Sequence, residues 1–322
     1  MKAILCEKYG RPADVLHLKE VEKPAPRENE ILVKVYAASA NTLDLQMRGG
    51  LARIWGGLRK PKDPRLGQDV AGRVEAVGSS ITKFHPGDEV FGACDGSYAE
   101  YAVAHENGLE LKPSNSSFEE AATLPVAAIT ALQGLRDKGQ IRAGQKVLIY
   151  GASGGVGTFA VQIAKCFGAE VTAVCSPRSL DVVRSNGADH VIDYTQEDFT
   201  KSGQQYDLIF AVNGYRPISA YRRALTPQGV YVAAGGTFPQ ILQALLLGPR
   251  ISRTGGQRLG FMGIAKIKPK DLAVLKELYE AGKIKLVIDR CYPLSETGAA
   301  LQYLAEGHAR GKIVITVAHN DV

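Results

Sequence analysis

Over the first 120 residues, short apolar runs alternate with Gly-, Pro- and Asn-containing breaks. Ile31-Leu-Val-Lys-Val-Tyr36, Val70-Ala-Gly-Arg-Val-Glu-Ala-Val77 and Glu89-Val-Phe91 alternate or carry β-branched side chains, which predicts strands. Turn sequences such as His85-Pro-Gly-Asp88 separate them. This region reads as an antiparallel, barrel-like β domain.

From residue 121 to about 267 strands alternate with helices. Lys146-Val-Leu-Ile-Tyr150 is a buried strand that ends at a glycine cluster. Val156, Phe159, Ala160, Ile163, Ala164 and Phe167 then fall on one helical face, and Gly168 stands where a C-cap glycine belongs. Val171-Thr-Ala-Val-Cys175 is the next strand, after which Ser176 and Pro177 suit the start of a helix that ends before Gly187. His190 to Asp193, Tyr206 to Val212 and Gly229 to Ala234 continue the strand series. Such alternation predicts βαβ units and a parallel sheet covered on both faces, an α/β fold of the doubly wound type. Two amphipathic helices, Asp271 to Glu280 and Gly298 to Ala305, and a strand from Lys312 to Val317 make up the tail.

Composition adds little to that division but narrows the chemistry. The 322 residues suit about two domains, and 45% apolar with 22% charged is ordinary for a globular protein. Thirty-five glycines are about 11% of the chain, above a background of about 7%, and lack the collagen period. The excess therefore points to tight turns and close backbone approaches. The net charge of +6 fits an anionic small ligand and gives little reason to expect nucleic acid. No apolar run nears the roughly 18 residues that span a bilayer, and charges come early after Met1, so neither a membrane span nor a signal peptide is expected. Cys6, Cys94, Cys166, Cys175 and Cys291 are odd in number and scattered, which fits a reducing, cytoplasmic setting and no zinc lobe.

The strongest motif is Gly151-Ala-Ser-Gly-Gly-Val-Gly157. Lying between a predicted strand and a predicted helix, it would let the backbone at Ala152, Ser153, Gly154, Gly155 and Val156 approach a dinucleotide pyrophosphate, to which the helix N-terminus offers free N–H groups. The following strand ends Cys175-Ser176-Pro-Arg178, with no acid to bond a ribose 2′-OH. Ser176 and Arg178 instead suit a 2′-phosphate, which predicts NADP(H) as the cofactor.

The whole chain resembles the zinc-independent quinone oxidoreductases of the medium-chain dehydrogenase/reductase superfamily. The resemblance rests on Asn41-Thr-Leu-Asp44, Gly67-Gln-Asp-Val-Ala-Gly72, Pro86-Gly-Asp-Glu-Val-Phe91, Gly96-Ser-Tyr-Ala-Glu-Tyr101, Ala127-Ala-Ile-Thr-Ala131, Gly151 to Gly157 and Gly311-Lys-Ile-Val314, in that order. It implies a GroES-like domain of residues 1–120 completed by 268–322, around a Rossmann domain of residues 121–267, with the substrate in the cleft between. Zinc-dependent relatives carry Cys where this chain has Asn41 and His where it has Gln68, so no metal is expected.

By the same resemblance Asn41 would lie beside the nicotinamide and bond an oxygen of substrate or cofactor. Asp44 would orient it or pair with Arg48. Thr130 would bond the nicotinamide ribose or amide, and Tyr194 the adenosine 2′-phosphate. Asn213 would face the adenosine end and Gly235-Gly236 the nicotinamide end, with Lys312 a further cofactor contact. The implied activity is NADPH-dependent reduction of a quinone or an α,β-unsaturated carbonyl by a homodimer. Some members carry Tyr where this chain has Gln46, which leaves open an enal or enone reductase with little quinone activity. A cofactor-binding module without turnover is the remaining alternative. The basic stretch Arg48, Arg53, Arg59, Lys60, Lys62 and Arg65, with Trp55 among them, would line a substrate entrance, meet an anionic surface, or simply be solvated.

Overall fold

A computed structural model describes residues 1–46, 60–212, 214, 216–236, 241–246, 248 and 255–319. It divides into two units, one of Met1–Ala127, Ile267–Ala281 and Leu286–Val322, the other of Ala128–Lys266 and Gly282–Lys285.

In the first unit β1 (Lys2–Cys6) and β2 (Leu16–Glu20) form a small antiparallel pair. The main sheet contains β3 (Glu30–Ala40), β4 (Asp69–Val77), β5 (Glu89–Ala93), β6 (Tyr101–His105) and β7 (Leu109–Leu111). Two strands from the C-terminal part of the chain, β14 (Ile288–Pro293) and β15 (Lys312–Thr316), complete it. β3 is its spine. Along one edge it pairs with β4; on the other, Glu30 to Lys34 pair with β6 and Ala37 to Ala40 with β15. The apolar pattern predicts a strand only to Tyr36, because Ala37-Ala-Ser-Ala40 has little β propensity. Partners on both edges extend it four residues further, and that extension positions the site described below. The expected antiparallel pairing holds for this sheet apart from β14 and β15, which run parallel with helix Thr297–Ala305 between them. Ile31, Val33, Val35, Val70, Val74, Val90, Ile313 and Ile315 fill the core.

The second unit is a parallel sheet of β8 (Lys146–Tyr150), β9 (Glu170–Cys175), β10 (His190–Asp193), β11 (Tyr206–Val212), β12 (Leu225–Ala234) and β13 (Arg258–Phe261). Its spatial order is β10-β9-β8-β11-β12-β13, so strand order reverses between β8 and β11. That reversal is the point where open α/β sheets bind their ligands. Val147 to Tyr150, Val171 to Cys175 and Leu208 to Ala211 are buried throughout, as strands covered on both faces must be. Helix Gly155–Cys166 buries Phe159, Ala160, Ile163 and Ala164, and Gly168 closes it at φ +76°. The α/β architecture with a parallel sheet is thus as the pattern predicts. β13 had no counterpart there: Arg258-Leu-Gly-Phe261 is too short and mixed to stand out, and β12 supplies its pairing.

Candidate functional site

The glycine turn follows β8 directly. Gly151 has φ +76°, and a Cβ there would lie 2.3 Å from the Val212 carbonyl oxygen, so the turn next to β11 admits only glycine. A Cβ on Gly157 would lie 2.1 Å from Gly151 O, so the helix can approach the turn only without a side chain. Gly154 differs: a Cβ there would find nothing nearer than Gly151 O at 3.7 Å. Space beside it is open. Gly154 is also the N-cap of helix Gly155–Cys166, with no side-chain cap and no acidic residue in the first turn. The leading N–H groups and the positive end of the helix dipole are therefore available to an anion, and the backbone fits a pyrophosphate. Buried Ala152 and half-buried Ser153, Gly155 and Val156 complete the turn.

β9 ends at Cys175, whose thiol burial pushes up to about 11. Ser176 stands at the N-cap position of the short turn Pro177–Ser179 without a side-chain cap bond, its Oγ 3.4 Å from Ser179 Oγ, with Arg178 exposed beside it. Tyr194 donates its backbone N–H to Cys175 O at 3.3 Å and is 42% exposed. Ser176, Arg178 and Tyr194 are thus brought to one corner of the sheet. Sequence reasoning overlooked Asp193, which pairs in register with Cys175 from the neighbouring strand. Its Oδ1 is engaged by Thr195, through N–H at 2.9 Å and the hydroxyl at 2.8 Å. Gly235 and Gly236 follow β12 at φ +106° and +127°. Half-buried Thr130 lies on helix Pro125–Gln133. Asn213 and Arg48 lie outside the described residues, as do Arg53, Trp55 and Arg59. Arg65 of the basic stretch grips Asp63 through Nε at 3.0 Å and Nη2 at 2.7 Å.

A second constellation lies in the first unit, where β3, β4 and β15 meet. Asp69, fully buried at the start of β4, is its hub. Its Oδ2 accepts from Ser39 Oγ at 2.5 Å, Asn41 Nδ2 at 2.8 Å and Lys312 Nζ at 3.1 Å, and its Oδ1 from Val126 N–H at 2.8 Å. Lys312 also donates to Asn41 Oδ1 at 2.7 Å and Ala40 O at 3.4 Å. Asn41 donates from Nδ2 to Ser39 O at 3.4 Å, at the weak end of hydrogen bonding. Asp44 Oδ2 accepts from Asn41 N–H and from Tyr98 OH, both at 2.8 Å. The pairing of Asn41 with Asp44 is therefore through the backbone of a short turn. Lys312, implied as a cofactor contact, is 2% exposed and donates to three protein oxygens, those of Ala40, Asn41 and Asp69.

Burial pushes the Asp44 carboxyl up to about 6, against the bonds from Asn41 and Tyr98, with Asp69 adding repulsion and Lys312 opposing it. Since the folded value lies above the ordinary 3.8, the native state holds the proton over a window where the unfolded chain has lost it. This contribution is complete below about pH 4 and lost as pH rises through about 6. Asp44→Asn keeps an acceptor for both donors and removes the titration. The stability difference between wild type and variant, from urea unfolding, should change across about pH 4 to 7 in the variant's favour. A difference flat with pH would mean that Asp44 titrates normally.

The donor set does not fit zinc. Asn41 and Gln68 offer carboxamides in place of thiolate and imidazole, Asp69 is saturated by four donors, and burial holds the nearby Cys94 thiol protonated. Among the described residues no group of three or more His, Cys, Asp or Glu is arranged for a metal ion. Asp69, Ser39 and Tyr98 were missed by sequence reasoning. A signal existed for Asp69 and Lys312, each a charged residue directly before a run of apolar or small strand residues, but not for their pairing across 243 residues.

Residues 27–114 match the alcohol dehydrogenase GroES-like domain family and residues 186–315 a family described as zinc-binding dehydrogenase. The chain is 36% identical to a spinach (Spinacia oleracea) protein named chloroplastic quinone-oxidoreductase homolog, over 98% of each. It is 35% identical to tomato (Solanum lycopersicum) 2-methylene-furan-3-one reductase, over 98% of this chain and 79% of that protein. Among solved structures, the quinone oxidoreductase from Coxiella burnetii superposes with a TM-score of 0.88 at 30% identity, over 99% of each chain. Two family models in chain order, full-length likeness at these identities and a glycine turn on a β8–β11 strand reversal agree: the chain belongs to the quinone oxidoreductase family of the medium-chain dehydrogenase/reductase superfamily.

Proposed function

We propose that this protein is an NADPH-dependent oxidoreductase that reduces a quinone or an α,β-unsaturated carbonyl without zinc. The observation that carries the reading is the uncapped, acid-free helix start at Gly154, with open space beside it and an acid-free strand end at Cys175 and Ser176. Ala152, Ser153, Gly154, Gly155 and Val156 would hold the pyrophosphate, and Ser176, Arg178 and Tyr194 the 2′-phosphate. Thr130, Gly235 and Gly236 would serve the nicotinamide end and Asn213 the adenosine end. Bound NADPH supplies a hydride. The chain's own part is to orient the acceptor and stabilise the oxygen on which charge develops. Asn41 is the donor for that oxygen: its second Nδ2–H is held only by the 3.4 Å bond to Ser39 O and is released at small cost. A homodimer in a reducing compartment, the cytoplasm, belongs to the same reading; the spinach relative is named chloroplastic. No helix among the described residues is long and apolar enough to cross a membrane.

Gln46 in place of the tyrosine of some quinone reductases, and the tomato relative's name, favour a second reading in which short enals or enones are the better substrates. One assay separates them. Protein and NADPH are mixed with a panel of quinones and enals, with and without a strong chelator, and nicotinamide absorbance is followed. Oxidation that survives chelation supports the proposal, and the better substrate class chooses between the readings. Loss on metal removal with recovery on added zinc would overturn it. Asn41→Ala should lower turnover about tenfold and change NADPH affinity by less than about twofold, because its partner is at the reacting end. Unchanged turnover would return Asn41 to a purely structural role.

A further inference from the structure

We infer that the buried Lys312–Asp69 ion pair is an orientation lock for the Asn41 carboxamide, fixing it as a hydrogen-bond donor toward the substrate. This rests on the reading proposed above and adds the residues that set its polarity. An ammonium only donates and a carboxylate only accepts. Lys312 Nζ, 2.7 Å from Asn41, can therefore face only the amide oxygen, and Asp69 Oδ2, at 2.8 Å, only the amide nitrogen. Each alone selects one of the two amide orientations, and both select the same one. Asn41 and Asp69 are 8% and 0% exposed and Lys312 2%, so water does not compete for these bonds. The cation also draws charge from Oδ1, which strengthens Nδ2–H as a donor. With Oδ1 occupied, the edge left to Asn41 is N–H, and it meets an acceptor oxygen such as a quinone or enone carbonyl. Lys312 and Asp69 are thus positioning residues, acting through Asn41.

The test removes both charges at once. In Lys312→Met/Asp69→Asn neither member of the pair is left behind as a lone charge, and Asp44 loses the attraction of Lys312 together with the repulsion of Asp69; but the carboxamide introduced at position 69 can donate to the Asn41 oxygen, so Asn41 is free to turn over. The lock predicts a folded double variant whose turnover falls about tenfold, with NADPH affinity within about twofold of wild type. Lys312→Met alone, with Asp69 still facing Nδ2, should lose less turnover than the double variant. A double variant that folds and keeps wild-type turnover would overturn the inference. A second readout needs neither the double variant nor turnover. In wild type selectively ¹⁵N-labelled at asparagine, with the Asn41 signal assigned from Asn41→Ala, the Nδ2–H that faces Asp69 should resist exchange with solvent. Exchange as fast as for an exposed asparagine would equally overturn the lock. If wild type oxidises NADPH with no quinone or enal yet the Asn41 amide is protected, the function reading fails and the lock stands.

Discussion

Asp69→Ala is expected to be the most damaging single substitution in the β unit. Four donors converge on this carboxylate, including a lysine that is itself 2% exposed. Breaking a buried ion pair by removing one partner costs about 3–5 kcal/mol, because the surviving charge remains in a medium that cannot solvate it. Ser39 Oγ–H also loses its acceptor, and a buried donor left unmade costs about 1–3 kcal/mol. These losses overlap, since water entering the cavity would relieve several at once, so about 3–5 kcal/mol is the total we expect. Against a typical stability of about 5–15 kcal/mol, that is a large fraction. Urea unfolding followed by far-UV circular dichroism would measure it. A loss below about 1 kcal/mol would show that the hub is solvated in solution and its bonds are dispensable.

Cofactor choice carries the second large effect. NADPH differs from NADH by the 2′-phosphate alone, and the corner of Ser176, Arg178 and Tyr194 holds a hydroxyl, a guanidinium and an exposed phenol. A charge-assisted hydrogen bond is worth about 1.5–3 kcal/mol, discounted here because Arg178 is exposed. A preference for NADPH of about 10- to 100-fold is expected. Arg178→Ala should weaken NADPH and leave NADH nearly unchanged. Ser176→Asp should go further and reverse the preference, since it adds a second acid to a corner where Asp193 already pairs with Cys175. Titrating both cofactors into wild type and the two variants checks the set. Equal affinity of wild type for NADH and NADPH would make Arg178 an ordinary surface residue.

The parallel sheet was legible because its central strands are buried on both faces and read as nearly continuous apolar runs. Lys146 to Tyr150, His190 to Asp193 and Tyr206 to Val212 end where the pattern ends. The glycine turn was legible for a related reason, since Gly151 and Gly157 sit where a Cβ has no room. Ala37 to Ala40 could not be read as strand, because small residues take whatever conformation their neighbours impose. The Asn41 cluster was half legible. Asn41 and Asp44 share a local motif, but Asp69 and Lys312 reach it through sheet pairing and Tyr98 from a loop 54 residues away, which leaves no trace in spacing.

The place of β15 in the sheet also bears on the order in which the molecule can assemble as it is made. The second unit is nearly one continuous stretch, Ala128–Lys266, and can fold once that stretch has left the ribosome. The first unit cannot. Asp69 and Asn41 precede Lys312 by 243 and 271 residues, an interval of about 12–50 s of synthesis at roughly 5–20 residues per second. During that interval the C-terminal half of β3 has an unpaired edge, and a carboxylate destined for burial has no counter-ion. A nascent chain arrested before Lys312 should therefore carry a protease-resistant nucleotide-binding unit joined to a protease-sensitive β unit, which sets once β15 is released.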